Sequence, residues 1–211
     1  MILYPEIRTL SDDYEQRLKK QIDARTIEMD DDDKAHYVLY QVLGITPEEG
    51  KAIDLYQNKG RFLYKYAGSF LEAATRICIV HKYPEAVTTA IPNTESARPK
   101  TFEIDSLVPN GDAFEIKWRD ATTDGDHITK EHTRLKVIAG AGYKPIRVMF
   151  YYPNRDQAKR IQKTLETLYG ALGGHYYYGD AAWQFVKEYT GVELLEAINR
   201  IAKEKLDASR G

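Results

Sequence analysis

The 211-residue chain contains one cysteine, Cys78. With no second thiol, an intrachain disulfide is impossible and a thiolate metal cluster is excluded, which fits a reducing compartment. Neither sign of charge is in large excess: 30 lysines and arginines meet 32 aspartates and glutamates, for a formal net charge of -2. No global positive field advertises nucleic acid, so any such binding has to be local, on one basic face. No apolar run is long enough to span a bilayer. The amino-terminal "MILYPEIRTLSDDYEQR" meets acids early, with no apolar core behind a basic start. These absences predict a soluble, cytoplasmic protein that does not engage a membrane. Repeats and low-complexity linkers are absent too. The length, with 43% hydrophobic residues, fits one domain, with a helical extension over 1–60, a core over 61–178 and closing helices over 179–211.

The amino-terminal part reads as helix. "DDDDKAHYVLYQVLG" places Asp30 to Asp33 where a helix begins, since carboxylates there accept from free amides and oppose the positive dipole end, and Gly44 suits the stop. "ITPEEGKAIDLYQ" offers Thr46 as N-cap, Pro47 at the first helical position and Glu49 three after the cap, a capping box. In outline the pair resembles a helix-turn-helix, although antiparallel helices that merely pack are commoner. A separate, longer helix, "RFLYKYAGSFLEAATRICIVH", repeats Phe62, Tyr66, Phe70, Ala73 and Ile77 along a face expected to meet the core.

From His81 to Lys100, Pro84, Pro92 and Pro99 indicate loop or edge structure. Strands begin at Thr101. "DHITKEHTRLKVIAGAG" reads as a helix ending in glycines, "KPIRVMFYYP" as a strand, "NRDQAKRIQKTLETLYGAL" as an amphipathic helix capped by Asn154, and "HYYYG" as a short strand. Helices from Asp180 and from about Val192 finish the chain. The expected fold is α/β: a mixed central sheet flanked by helices, with an amino-terminal helical region.

The stretch "FEIDSLVPNGDAFEIKWRD" carries ionisable residues inside two strand-like runs. A two-residue Asn110-Gly111 turn would scatter them across both faces. A three-residue loop of Pro109, Asn110 and Gly111 has the better turn chemistry, with proline at the first corner and glycine at the left-handed position. It sets Asp105 opposite Glu115 and Glu103 opposite Lys117, and gathers Ile104, Phe114, Ile116 and Trp118 on the other face. Two facing carboxylates repel unless a proton or cation lies between them, and a hard divalent ion, magnesium, is the economical solution. Such an ion can bind a scissile phosphate, with Lys117 orienting the attacking water or neutralising the charge that develops. The plainer alternative is a surface sheet face with cross-strand salt bridges.

These residues resemble the PD-(D/E)xK nuclease superfamily, whose motif is an aspartate ending one strand and Glu-x-Lys on the next: here Asp105 with Glu115, Ile116 and Lys117. Ile104 stands where the motif's proline would be. The longer blocks "EIKWRDATTDGDHITKEHTRLKVI" and "YKPIRVMFYYPNRDQA" are similar to type II restriction endonucleases of the ApaLI-like group. The resemblance implies a restriction-endonuclease-like core and Mg2+-dependent hydrolysis of double-stranded DNA within a short palindromic site by a homodimer. Asp105, Glu115 and Ile116 are then the metal-binding positions. Asp105, Glu115 and Lys117 are catalytic, and Glu72 on the first core helix is a further catalytic candidate.

For DNA binding, His127, Lys130, Glu131 and Arg134 share one helical face, while Ile128, Leu135 and Ile138 form the apolar stripe. Arg119, Asp120, Thr122, Thr123, His127, Lys130 and Arg134 are the candidate contacts to phosphates and base edges. Three rival functions remain: a repair or structure-selective nuclease of the same superfamily, a noncatalytic DNA-binding module using the amino-terminal helices, and a metal-dependent hydrolase of a small phosphate ester.

Overall fold

The computed structural model describes residues 3–119 and 126–210. Contacts divide the chain into two compact units, one of Arg8–Phe70 and the other of Met1–Ile7 with Leu71–Gly211. The first is helical, drawing on α1 (Tyr4–Asp31), α2 (Tyr37–Val42) and α3 (Pro47–Lys82). Within it, Tyr14 of α1 meets Tyr66 and Phe70 of α3 edge-on, with ring centroids 6.1 and 5.8 Å apart. The capping box forms as expected: the Thr46 amide donates to Glu49 Oε2 at 3.0 Å, and the Glu49 amide to Thr46 Oγ1 at 3.2 Å. Gly44 ends α2 at a φ of 83°, a conformation that glycine adopts without a Cβ penalty.

Three expectations for this region are corrected. Asp30 and Asp31 end α1 rather than begin α2. Carboxylates oppose the dipole poorly there, and lysines compensate. Lys51 pairs with Asp30 at 2.8 Å, and the Lys34 ammonium donates to the terminal carbonyls of Met29 and Asp30. The helices expected after Pro47 and after Arg61 are one helix of 36 residues that runs through Gly60. Its buried stripe is Leu71, Ala74, Thr75, Cys78 and Ile79. The expected Phe62, Tyr66, Phe70, Ala73 and Ile77 are only half-buried beside it.

The second unit is built on a mixed sheet in the order β1 (Val87–Pro92), β2 (Thr101–Leu107), β3 (Asp112–Arg119), β4 (Lys144–Tyr151) and β5 (His175–Tyr178). The first two pairings are antiparallel and the last two parallel. Helices α4 (Asp126–Gly140) and α5 (Asp156–Ala171) make the crossovers between the parallel strands, and α6 (Asp180–Thr190) and α7 (Leu194–Ala208) follow. The α5 N-cap is Arg155 rather than Asn154, with Asp156 supplying the acid of the first turn. The two faces of β3 identify the layers. Ala113 clusters with Val137 and Ile138 of α4, whereas Phe114 stacks on Phe185 and meets Tyr189 of α6. Helices therefore cover the sheet on both sides, which is why β4 is buried from Pro145 to Phe150.

The β2–β3 turn takes the three-residue form. Gly111 has a φ of 91° and its amide donates to the Val108 carbonyl, and Val108 in turn donates to Asp112. Tyr189 of α6 donates to Asp112 Oδ2 at 2.8 Å, anchoring the turn. The resulting pairs are Leu107 with Ala113 and Ser106 with Phe114, the expected register. One irregularity escaped the pattern: between Val87 and Thr89 the β1 register shifts, so three steps of β2, from Leu107 to Ile104, face two of β1. This bulge turns Ile104 away from its expected companions Phe114 and Ile116. It packs instead with Phe102, Ala113 and α4. Ile104 is fully buried, so Ile104→Ala should destabilise the protein by about 2–5 kcal/mol, read as a lower denaturant midpoint with an unchanged slope.

Candidate active site

The bulge sits where the chemistry is. Beyond Ser106 the Asp105 carboxylate, rather than a backbone carbonyl, receives an amide of the neighbouring strand: Ile116 N–H donates to Asp105 Oδ2 at 2.7 Å. Glu115 lies on the same strand as that amide, and Asp105 and Glu115 are both buried. Lys117 follows two residues on, on the face of Glu115, and its Nζ lies 2.6 Å from Glu115 Oε1. The ammonium is thus taken by Glu115 rather than by the expected Glu103. Asp105, Glu115 and Lys117 are brought together.

Behind them lies a polar layer that the sequence reading did not see. The β3–β4–β5 register sets Glu115, Arg147 and Tyr176 side by side, so they share a face. Helix α4 covers them with Glu131 and Arg134, and α5 with Gln162 and Tyr169. Arg134 Nη2 contacts Glu115 Oε2 and donates to the Glu103 carbonyl at 2.7 Å. Glu131 Oε1 receives Arg147 Nη1 at 3.1 Å and the Tyr169 hydroxyl at 2.7 Å, and Arg134 Nη1 is 3.6 Å away. Tyr176 donates to Gln162 Oε1 at 2.6 Å. Arg147, fully buried in mid-strand, was the available signal. A charged residue at the centre of an apolar strand must have partners waiting.

The remaining candidates divide. Glu72 of α3 is half-buried and senses the charges of Lys117, Arg76, Glu115 and Glu103, so it belongs to the same electrostatic site. Arg119 and Lys130 are exposed, and His127 is half-buried. Arg134 is a correction: it was expected on a polar helix face that meets DNA, but it and Glu131 are buried beside Leu135 and Ile138. The inward ion pairs, not the apolar stripe alone, decide which side of α4 faces the sheet. Asp120, Thr122 and Thr123 lie outside the described residues.

The two carboxyls are driven apart electrostatically. Burial, and then the charge of Glu115, push Asp105 up to about 7, with Lys117 and the Ile116 amide opposing. Burial would raise Glu115 too, but Arg134, Lys117 and Arg147 hold it down at about 2. Lys117 resists its own burial because Glu115 and Asp105 keep it protonated. The thiol of Cys78 is pushed up to about 12 by burial, which removes it as a nucleophile.

Among the described residues no three His, Cys, Asp or Glu side chains form a closed metal cage. The donors present are hard oxygens: the Asp105 and Glu115 carboxylates and the main chain at Ile116. They suit an ion such as Mg2+, which needs only one or two carboxylates when water and substrate phosphate complete its shell. Burial first, and then the charge of Glu115, disfavour the ionised Asp105, and a cation between the two carboxylates would offset both.

A pH effect follows. Asp105 ionises near pH 4 in the unfolded chain and at about 7 in the fold. Between those values the folded state keeps a proton that the unfolded state has lost, so stability falls as pH rises through the window and levels off above it. Asp105→Asn, whose amide oxygen can still accept from Ile116, should raise the melting temperature most at pH 8 and progressively less towards pH 4. An equal gain at every pH would contradict this account.

Among the described residues no helix is long and apolar enough to cross a membrane. No curated protein and no solved structure matches the chain. The family model described as ApaLI-like restriction endonuclease matches residues 1–203 of the 211. Coverage that nearly complete, over a mixed α/β sheet that joins Asp105 to Glu115 and Lys117, gives the assignment: the chain belongs to the ApaLI-like restriction endonuclease family.

Proposed function

We propose that this restriction endonuclease is a type II enzyme: a Mg2+-dependent homodimer that hydrolyses one phosphodiester bond in each strand of double-stranded DNA within a short palindromic site. The observation that carries the reading is the meeting of Asp105, Glu115 and Lys117 from two adjoining strands, with Asp105 strained towards its protonated form.

Asp105 and Glu115, with the main chain at Ile116, are the groups that would hold the metal. Bound there, Mg2+ supplies a Lewis acid that polarises the scissile phosphate and acidifies water. Lys117 serves as a cation rather than a base, because its carboxylate neighbours keep its proton on. Its role is to orient the attacking water and to balance charge on the phosphate. Glu72, raised chiefly by burial, borders the same charges and is in reach of a supporting role. Arg119, His127 and Lys130 are the described candidates for phosphate or base contacts, and Asp120, Thr122 and Thr123 complete the proposed set. The buried Arg134 is withdrawn from it.

Purified protein incubated with plasmid DNA should give discrete fragments with Mg2+ and none without it. Glu115→Ala should lower cutting by at least about 100-fold while duplex binding persists in a gel-shift assay. Nonspecific degradation would favour a repair or structure-selective nuclease. Binding with no cutting by the unaltered protein would favour a noncatalytic module, and absence of duplex binding a small-ester hydrolase.

A further inference from the structure

The Arg134 guanidinium reaches three groups on three elements: the Glu115 carboxylate on β3, the Glu103 carbonyl on β2 and Glu131 on its own helix. One side chain of α4 thereby ties together the two strands that bear Asp105 and Glu115. Arg147 and Tyr169 in turn hold Glu131, so the acceptor that Arg134 has on its own helix is itself fixed. Stability does not account for such an arrangement, because well-packed apolar residues commonly match or better a buried ion pair. Orientation does, since a planar fork can fix a carboxylate's plane while bonding a second acceptor.

The two oxygens of Glu115 are held unequally. Oε2 is against Arg134, whose side chain is 9% exposed, and Oε1 is against Lys117, whose side chain is 37% exposed. A cation approaching Glu115 can displace the accessible lysine but not the enclosed arginine. Resting on the reading of Asp105 and Glu115 as metal ligands, we infer that Arg134 is a positioning residue. It locks Glu115 so that Oε1 is offered to the metal and Lys117 is released towards the phosphate, and it joins that carboxylate to the helix bearing His127 and Lys130.

Arg134→Lys tests this, because it keeps the charge and removes the fork. The expected result is a cooperatively melting protein with unaltered affinity for duplex DNA measured without metal. Mn2+ binding to the protein–DNA complex, followed by electron paramagnetic resonance, should weaken by about 10–100-fold. Cutting should fall in kcat with the KM for DNA unchanged. Wild-type Mn2+ affinity and kcat in the variant would overturn the inference. So would a loss of cutting that simply tracks lost duplex binding, or failure to melt cooperatively, which would assign Arg134 to the fold. If the unaltered protein bound DNA but neither bound Mn2+ nor cut, the metal-site reading itself would have failed.

Discussion

A carboxylate taken out of water costs several kcal/mol unless a cation stays beside it. Glu115 is that carboxylate here, and much of the second unit is organised around its needs. Arg134 and Lys117 contact it, and Arg147 lies beside it in the adjacent strand. The guanidinium groups then require acceptors of their own, which Glu131 and the Glu103 carbonyl provide. Tyr169 donates to Glu131, bringing α5 into the same network. The consequence is a polar layer between the sheet and two helices where an apolar core would normally sit. Groups so linked stand or fall together, and they favour the rotation of α4 that turns Glu131 and Arg134 towards the sheet.

The opposite face of the sheet follows simpler rules. There Phe114 and Tyr177 stack on Phe185, and Tyr189 meets Phe114 edge-on; the closest pair, Tyr177 and Phe185, is 3.9 Å apart and nearly parallel. Aromatic area supplies the cohesion, and the Tyr189 hydroxyl spends its polarity on the turn that fixes the β2–β3 register. Hydrophobic packing on one side thus places the strands, and charge pairing on the other orients the groups that face the reacting phosphate in the proposed chemistry.

What could be read from the sequence was what local chemistry decides. Pro109, Asn110 and Gly111 dictated the turn, and Thr46 with Glu49 dictated the start of α3, because in each case a few adjacent residues contain the whole interaction. The α/β architecture followed from the change of hydrophobic period along the chain. The bulge in β2 was hidden because it shows only in the pairing with β1, outside the hairpin. The inward turn of Arg134 and Glu131 was hidden because their partners lie on other elements, at Glu115 and Arg147, and helical spacing alone made them look solvated. The acids at Asp30 and Asp31 misled for a similar reason: Lys51, the counter-charge of Asp30, is distant in sequence.

The sheet's two rims differ from its centre. β1 is exposed over most of its length and closes on Pro92, which has no amide to offer, while β5 runs for only four residues, three of them tyrosines. Short or proline-ended margins are poor templates for strand addition. Extension of the ladder of main-chain hydrogen bonds by a second polypeptide is thereby disfavoured at both margins, one through its proline and the other through its brevity.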